Sequence, residues 1–463
     1  MKNYEQYKRL IRFTSSVILI SIESGLYWYI WRNFYNQKMD IPYNRTGNWL
    51  IVAVYAILLM VFSLMYGGLK IGYLKTSNSI YSQTLASICA NGMIYLQITL
   101  LTKHFQSVLP LLSMTALEVL AISIWSFIAN TVYRMIYPAK NILLIHGERP
   151  IKGFLQKLST RNDCFSVKET INISSGFDDL ADRIRSYEGV ILCDVPSTMR
   201  NQILKFCYAN SVRTYAVPKI SDVIIRSGES LHLFDTPLIL CRNNGFTFEQ
   251  RIIKRLMDII LSLLALILLS PLFLFTAVAI KMYDGGPVFF FQKRCTKDGK
   301  VFSICKFRSM VMNAEKDGKP MPAIKDDPRI FPFGRFIRRT RIDELPQLFN
   351  IIKGDMSLVG PRPERIEHIR KYSEQIPEFQ YRLKIKGGLT GYAQVYGKYN
   401  TTAYDKLKLD LMYIQNYSLL LDIAIIFQTF KILFMEESTE GFSKSTQDMD
   451  VPSDKSKLTD RRK

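Results

Sequence analysis

The chain has 463 residues, a formal net charge of +21 from 61 Lys and Arg against 40 Asp and Glu, and 48% hydrophobic but only 22% charged residues. Its length suggests two to four structural units, and its apolar content excludes a wholly disordered chain. Seven cysteines without a C-x-x-C pair argue against a disulfide-stapled scaffold, and four scattered histidines (His104, His146, His232, His368) argue against a zinc site.

Hydrophobicity comes in blocks. Phe13–Trp31, Trp49–Tyr66, Ile80–Leu101 and Val108–Tyr133 are long enough, or nearly so, to cross a bilayer, which takes about 20 apolar residues. The third is interrupted by Gln83, Asn91 and Gln97. Glu23 and Glu118 lie inside the first and fourth, where a carboxylate either serves a function or faces a neighbouring helix. The first block is too long for a removable signal peptide and has no small-residue cleavage site after it. Lys2, Lys8, Arg9 and Arg12 before the first block, Lys70 and Lys75 after the second, and Arg134 and Lys140 after the fourth place those flanks in the cytosol. Arg32, Lys38 and Arg45, in the loop assigned outside, run against that pattern.

From Asn141 to about Asn244, strand-like runs (Asn141–Ile145, Gly189–Leu192, Thr214–Val217, Leu238–Leu240) alternate with helical stretches such as Gly153–Leu158 and Met199–Tyr208. The alternation predicts a soluble, Rossmann-like α/β domain with a parallel sheet. The first strand is followed by His146-Gly147-Glu148-Arg149-Pro150, not by the G-x-G-x-x-G through which a backbone approaches a pyrophosphate. A structural or regulatory role is therefore expected here in preference to nucleotide binding.

Ile259–Ile280 is a run of 22 apolar or small residues with basic flanks on both sides: Arg251, Lys254 and Arg255 before it, Lys281, Lys293, Arg294 and others after it. Ser270-Pro271 stands at its middle. Proline removes a helical hydrogen bond, and a serine hydroxyl can satisfy a freed carbonyl. A broken helix that enters and leaves by the cytoplasmic face fits both facts; a proline-kinked spanning helix is the competing reading.

Beyond Gly285-Gly286-Pro287, Val288–Arg294 and Lys300–Phe307 read as a hairpin turned at Asp298-Gly299. It carries Gln292, Arg294, Lys306 and Arg308, cations suited to a phosphate or to anionic lipid. Asp326-Asp327-Pro328-Arg329 precedes Arg335, Arg338, Arg339 and Arg341, whose planar forks suit phosphate oxygens. Asp343-Glu344-Leu345-Pro346-Gln347-Leu348 follows, with Leu345, Leu348, Phe349 and Ile352 at helical spacing; Pro346 puts the helix start near Asp343, and Gly354 closes it. Adjacent side chains on a helix diverge. One carboxylate can then attack phosphorus while its neighbour holds Mg²⁺, or both simply offset the arginines. Pro361-Arg362-Pro363 fixes one arginine on a stiff turn suited to an anion. Gly387-Gly388-Leu389-Thr390-Gly391-Tyr392-Ala393-Gln394 permits close backbone approach to a ligand or is simply a turn. Asp410–Phe434 holds a second apolar stripe suited to an interfacial helix, and the Ser-, Thr-, Asp- and Lys-rich end has the composition of a disordered tail.

Lys254-Arg255-x-x-Asp258, Ser270-Pro271, Gly286-Pro287-Val288, Lys306-Phe307-Arg308-Ser309-Met310, Asp327-Pro328-Arg329, Asp343-Glu344-Leu345-Pro346-Gln347-Leu348, Pro361-Arg362-Pro363 and Thr390-Gly391 occur in the order seen in the bacterial sugar transferases, the monotopic polyprenyl-phosphate phosphoglycosyl transferases. The resemblance runs from about Gln250 to Phe434. With the N-terminal blocks and the α/β segment, the whole chain is similar to the long undecaprenyl-phosphate glucose or galactose phosphotransferases. The resemblance implies that Asp343 attacks the β-phosphate of a UDP-sugar and releases UMP, that polyprenyl phosphate takes the phosphosugar from Asp343, that Glu344 (with Asp343) works with Mg²⁺, and that Arg338 contacts the phosphate. It implies substrate-binding roles for Arg294, Lys306, Arg308, Arg362, Thr390 and Gln394, and a re-entrant helix broken at Ser270 and Pro271. The expected fold is a four-helix transmembrane bundle (1–137), a Rossmann-like α/β domain (138–245), an α-rich α+β catalytic domain (246–437, re-entrant helix 252–283) and a tail (438–463). Expected partners are a UDP-sugar, polyprenyl phosphate and membrane lipids at the cytoplasmic face of a bacterial inner membrane, with a possible homodimer and no nucleic acid. The implied pathway is lipid-linked polysaccharide, exopolysaccharide or capsule synthesis. A glycosyl transferase releasing UDP, a transporter or flippase using Glu23 and Glu118, and a regulatory protein that only binds nucleotide-sugars are the competing functions.

Overall fold

The computed structural model describes residues 4–241, 245–312, 327–397 and 401–433. The expected tail and Asp326 lie outside them. The chain divides into two compact units, Met1–Lys219 and Ile220–Lys463.

The first unit opens with four helices, α1 (Lys8–Ile30), α2 (Arg45–Tyr66), α3 (Thr76–Thr102) and α4 (Leu109–Ile136), each long and apolar enough to cross a membrane. Besides an apolar core that includes Tyr27, Leu59, Ile94 and Ile98, the helices expose many apolar side chains and bury polar ones. Phe13, Leu100, Leu120 and Phe127 are exposed, whereas Glu23, Gln83, Ser87, Glu118 and Asn130 are buried. A bundle in hydrocarbon gains nothing by hiding apolar side chains but must pair its polar ones. The pairing is specific: Ser87 lies 2.6 Å from Glu23, and Tyr55 and Asn91 donate to Glu118 at 2.5 and 2.7 Å. Both glutamates therefore face neighbouring helices.

The α/β part follows as β1 (Lys140–His146), α5 (Lys152–Ser159), β2 (Phe165–Asn172), α6 (Phe177–Arg185), β3 (Gly189–Cys193), α7 (Ser197–Ala209) and β4 (Arg213–Ala216). The strands form one parallel sheet in the order β2-β1-β3-β4. Ile142 to Ile145 in β1 are fully buried, as a strand covered on both faces must be. The single glycine after β1 serves packing: a Cβ at Gly147 would stand 2.2 Å from the Asp194 carbonyl oxygen.

One expectation for this region does not hold. The segment Leu238–Leu240 is not a strand of the parallel sheet. It lies in β6 (Thr236–Leu240), antiparallel to β5 (Glu229–Leu233) in a hairpin of the second unit. The division between the two compact units falls at Lys219. The reason is burial: Ile220 and Val223 of α8 (Ile220–Arg226) enter the core that holds Phe246, Val359, Leu407 and Leu411.

The second unit continues with α9 (Phe248–Leu268) and α10 (Ser270–Asp284), bent by 64° at Leu269. Ser270 Oγ donates to the Ile267 carbonyl at 2.8 Å, which relieves the break that Pro271 imposes. On α9 only Lys254, Asp258 and Ser262 are buried, while Ile260, Leu263, Ile267 and Leu268 are exposed. The predicted hairpin is present as β7 (Phe289–Cys295) and β8 (Val301–Phe307), and its turn residues Asp298 and Gly299 take φ of +56° and +73°. Then come α11 (Pro332–Arg339), α12 (Gln347–Lys353), β9 (Ser357–Val359), α13 (Ile366–Gln375), β10 (Gly388–Thr390), α14 (Tyr392–Tyr396), α15 (Ala403–Gln415) and α16 (Leu419–Leu433). β9 and β10 pair in parallel. The glycine-rich loop is occupied by protein backbone: a Cβ at Gly388 or Gly391 would stand 2.1 Å from the backbone N or O of Gly360.

Candidate active site

The acidic pair sits on a turn, not inside a regular helix. After α11 the chain reverses through Arg341, a non-glycine residue at φ +59°. Ile342–Glu344 then forms a 3₁₀ turn, and α12 starts at Gln347, four residues later than the sequence suggests. Proline at 346 has no N–H, and the surrounding bonds tighten to i−3 spacing: Leu345 N to Ile342 O and Phe349 N to Pro346 O, both 3.1 Å. Asn350 ties α12 to β8, accepting from Cys305 N at 2.9 Å and donating to Ser303 O at 2.9 Å.

This turn gives the two carboxylates different surroundings. Glu344 is buried, and its Oε1 accepts from Lys306 Nζ at 2.8 Å and Arg362 Nη2 at 2.7 Å. Burial alone would raise its pKa, but Arg362 and Lys306 hold it well below the usual carboxylate range. Asp343 is half-buried, and its Oδ1 is shielded from solvent without a hydrogen-bond partner among the described residues. Burial, then the charge of Glu344, pushes its pKa up to about 6 against the pull of Lys306, Arg338 and Arg341. Neighbouring acids moved in opposite directions are suited to different tasks.

Lys306 and Arg362, 38 and 18 residues from Glu344 in sequence, thus converge on one oxygen. Burial lowers the pKa of Lys306. Arg294 lies near them; burial, then the charge of Arg362, lowers its pKa to about 10. It donates to Gln292 Oε1 at 2.6 Å and to the Pro363 carbonyl at 3.3 Å. Arg338 acts on Asp343 through charge.

The other expected site residues have different partners. Arg308 is buried and grips Asp284 with both terminal nitrogens, while its Nε donates to Pro287 O at 2.7 Å; it fastens the end of α10 to the hairpin. Thr390 shares a hydrogen bond of 2.6 Å with Thr429 of α16, and Gln394 Nε2 donates to Leu389 O at 3.2 Å. Sequence reasoning placed Arg341 only in the phosphate-suited arginine cluster; the structure adds that it sits at positive φ, a constrained position for a non-glycine residue. Sequence reasoning did not single out Gln347, which is buried with its Nε2 unpartnered among the described residues; a glutamine opening an otherwise apolar helix face was the available signal.

Among the described residues no three His, Cys, Asp or Glu side chains cluster as a metal site. Mg²⁺ does not require such a cage, because it commonly takes one or two carboxylates together with substrate phosphates. Asp343, with its unpartnered Oδ1, and the adjoining Glu344 fit that donor set.

Known proteins resemble this chain over its C-terminal part. A profile described as bacterial sugar transferase matches residues 249–436. The chain is 40% identical over 236 residues to a UDP-N-acetylgalactosamine-undecaprenyl-phosphate N-acetylgalactosaminephosphotransferase of Aeromonas hydrophila, covering 50% of this chain and 55% of that one. It is 39% identical over 245 residues to a UDP-glucose:undecaprenyl-phosphate glucose-1-phosphate transferase of Klebsiella pneumoniae, covering 52% and 51%. It is also 38% identical over 189 residues to EpsL of Bacillus subtilis, an uncharacterized sugar transferase, covering 41% of this chain and 91% of that one. The match thus spans about half the length of the Aeromonas and Klebsiella relatives but nearly all of EpsL. The chain belongs to the bacterial sugar transferase family.

Proposed function

We propose that this protein transfers a sugar-1-phosphate from a UDP-sugar to polyprenyl phosphate and so begins a lipid-linked polysaccharide. The observation that carries the proposal is the pairing of Asp343, raised in pKa with a free oxygen, with Glu344, clamped by Lys306 and Arg362. At neutral pH Asp343 is ionised yet more basic than an ordinary carboxylate, as a nucleophile should be. Its oxygen attacks the β-phosphorus of the UDP-sugar, the bond from that phosphorus to the bridging oxygen breaks, and UMP leaves with that oxygen. An oxygen of polyprenyl phosphate then attacks the same phosphorus and expels the Asp343 carboxylate, so one anhydride is exchanged for another. Lys306, Arg338 and Arg362 supply fixed positive charge where the phosphates gather. Mg²⁺, held by Asp343 and Glu344, would supply charge neutralisation to the diphosphate.

The lipid substrate dictates where this happens. The α9–α10 bend, with an apolar outer surface and a satisfied break at Ser270, supports a re-entrant helix dipping into the cytoplasmic leaflet of the inner membrane. The parallel sheet of the first unit is consistent with a Rossmann-like domain. A transport reading based on Glu23 and Glu118 is less favoured, because Ser87, Tyr55 and Asn91 already engage those carboxyls.

The test is a release assay with a panel of UDP-sugars and polyprenyl phosphate, together with intact-mass analysis of the protein. UMP in the medium, a phosphosugar adduct lost in Asp343→Ala, and dependence on added Mg²⁺ after chelation are expected. Release of UDP would overturn the proposal in favour of simple glycosyl transfer.

A further inference from the structure

The turn that carries Arg362 is held from four directions. Its prolines, Pro361 and Pro363, have no N–H and donate no bond within the turn. Instead each successive carbonyl is taken by a group from elsewhere in the unit: Pro361 O by Gly388 N at 2.9 Å, Arg362 O by Arg382 Nη2 at 3.0 Å, Pro363 O by Arg294 Nη1 at 3.3 Å and Glu364 O by Cys295 N at 3.1 Å. The Arg382 contact differs from the rest, because Arg382 is itself a buried charge, 3% exposed, and needs a counter-ion. Asp410 of α15, 1% exposed, provides it, accepting Arg382 Nε at 3.0 Å and Nη2 at 2.8 Å. The guanidinium also lies 4.9 Å from the Phe379 ring centroid, which fixes its plane. Buried ion pairs add little stability over well-packed apolar residues, so one kept beside a site points to a geometric task.

We propose that Arg382 and Asp410 form a positioning pair, which holds the backbone of the Pro361-Arg362-Pro363 turn so that the Arg362 side chain meets Glu344. The inference rests on the phosphotransferase reading above and deepens it. Neither residue touches the reacting atoms. The pair acts through Arg362, and Arg294 assists from the neighbouring carbonyl. In this arrangement α15 is coupled to the acidic turn through a chain of direct bonds: Asp410 to Arg382, Arg382 to the Arg362 backbone, and the Arg362 side chain to Glu344.

The experiment is a double-mutant cycle on the full chain, read by UMP release and adduct formation in single-turnover reactions. Arg382→Lys keeps a positive charge for Asp410 but cannot bond Asp410 and the Arg362 carbonyl in the same fork geometry. It should slow adduct formation on the order of 10- to 100-fold, as small misplacements of a clamp do. Arg362→Ala should slow it at least as much. The combined variant should be no slower than Arg362→Ala alone, because both changes remove one function. Multiplied effects, or a wild-type rate in Arg382→Lys, would overturn the proposal. Hydrogen exchange on the same samples provides a second readout that does not depend on turnover. Arg382→Lys should raise exchange at Arg362 and Glu364 while leaving α15 protected. Exchange spread across the unit would mean a merely structural pair, and unchanged exchange would also count against the proposal. If Arg382→Lys fails to fold, Asp410→Asn, which keeps the shape and an acceptor, takes its place in the cycle. A wild-type protein that released no UMP would sink the phosphotransferase reading, whereas the exchange result would still decide the positioning claim.

Discussion

Asp343→Asn separates the proposed nucleophilic role of Asp343 from what its charge costs in stability. In the folded protein the carboxyl of Asp343 has a pKa near 6, against 3.8 ordinarily, with burial as the first cause and the charge of Glu344 as the second. A group that binds its proton more tightly when folded adds nothing unfavourable below the unfolded pKa, and its cost grows as pH rises from about 4 to about 6. Above that window the ionised side chain opposes folding by up to about 3 kcal/mol, taking about 1.4 kcal/mol per pH unit. Asparagine has nearly the same shape and no charge, so the variant should melt higher than wild type at about pH 7.5. At about pH 4.5 roughly a third of that gain should remain, and almost none near pH 3.5. Scanning calorimetry or fluorescence melting at these pH values reads the stability, and intact-mass analysis after incubation with a UDP-sugar reads the adduct. The variant should be more stable at neutral pH and form no adduct. A lower melting temperature at about pH 7.5, or an adduct that survives the substitution, would refute the assignment of Asp343 as a strained, ionised nucleophile.

Glu344→Gln removes the second cause of the rise in Asp343 and frees Lys306 and Arg362 to favour its ionised form. The acid limb of kcat/KM for the UDP-sugar should move to lower pH even as the plateau falls; an unmoved limb would mean that Asp343 does not set it. Arg308→Ala should lower the melting temperature by leaving Asp284 and the Pro287 carbonyl without their partner, and what folds should retain a near-normal KM for the UDP-sugar, since Arg308 is spent on the end of α10. A large rise in KM in a stably folded variant would return Arg308 to the substrate site.

Local chemistry determined what was legible in the sequence. The β7–β8 hairpin could be read because Asp298-Gly299 is one of the few pairs that tolerate positive φ at two successive positions. The α9–α10 break could be read because proline leaves few other choices. β2 could not, because Phe165–Asn172 is an edge strand whose Lys168 and Asn172 reach solvent, so no apolar run marks it. β6 was assigned to the wrong sheet because Leu238–Leu240 reads as a buried strand, whereas all three residues are exposed. Asp343, Glu344, Lys306 and Arg362 could each be named as candidates, but their convergence on Glu344 Oε1 depends on contacts across 38 and 18 residues that no spacing rule contains. Arg308 and Arg362 show the same limit in one residue type: both are arginines suited to phosphate, and only burial and partners assign one to a carboxylate at the end of α10 and the other to the acidic pair.

The same contacts alter the meaning of the basic flank before α9. Lys254 and Arg255 read naturally as cations held at a lipid surface, and as such they contribute to the placement of that helix end in the cytosol. In the fold, however, Lys254 donates to Asp422 of α16 at 2.6 Å, and Arg255 donates to the carbonyls of Ile351 and Ile352 at 2.6 Å each. Asp258, one turn on, accepts from Leu358 N at 2.9 Å. Three charged residues of one motif are therefore consumed inside the unit, and Arg255 caps the C-terminal end of α12, where the Ile351 carbonyl also accepts from Gly354 N at 3.0 Å. At the other end of α12 lies the turn of Asp343 and Glu344. The apolar outer surface of α9 and the nucleophile are thus joined by direct bonds through a helix of seven residues. Under the proposed function, those bonds would hold Asp343 at a set distance from the exposed apolar stripe of α9, as a reaction with a membrane-bound phosphate requires. The case for a re-entrant segment then rests less on counting flanking lysines and arginines than on the 64° bend, the Ser270 bond at the break and the inverted burial of α9.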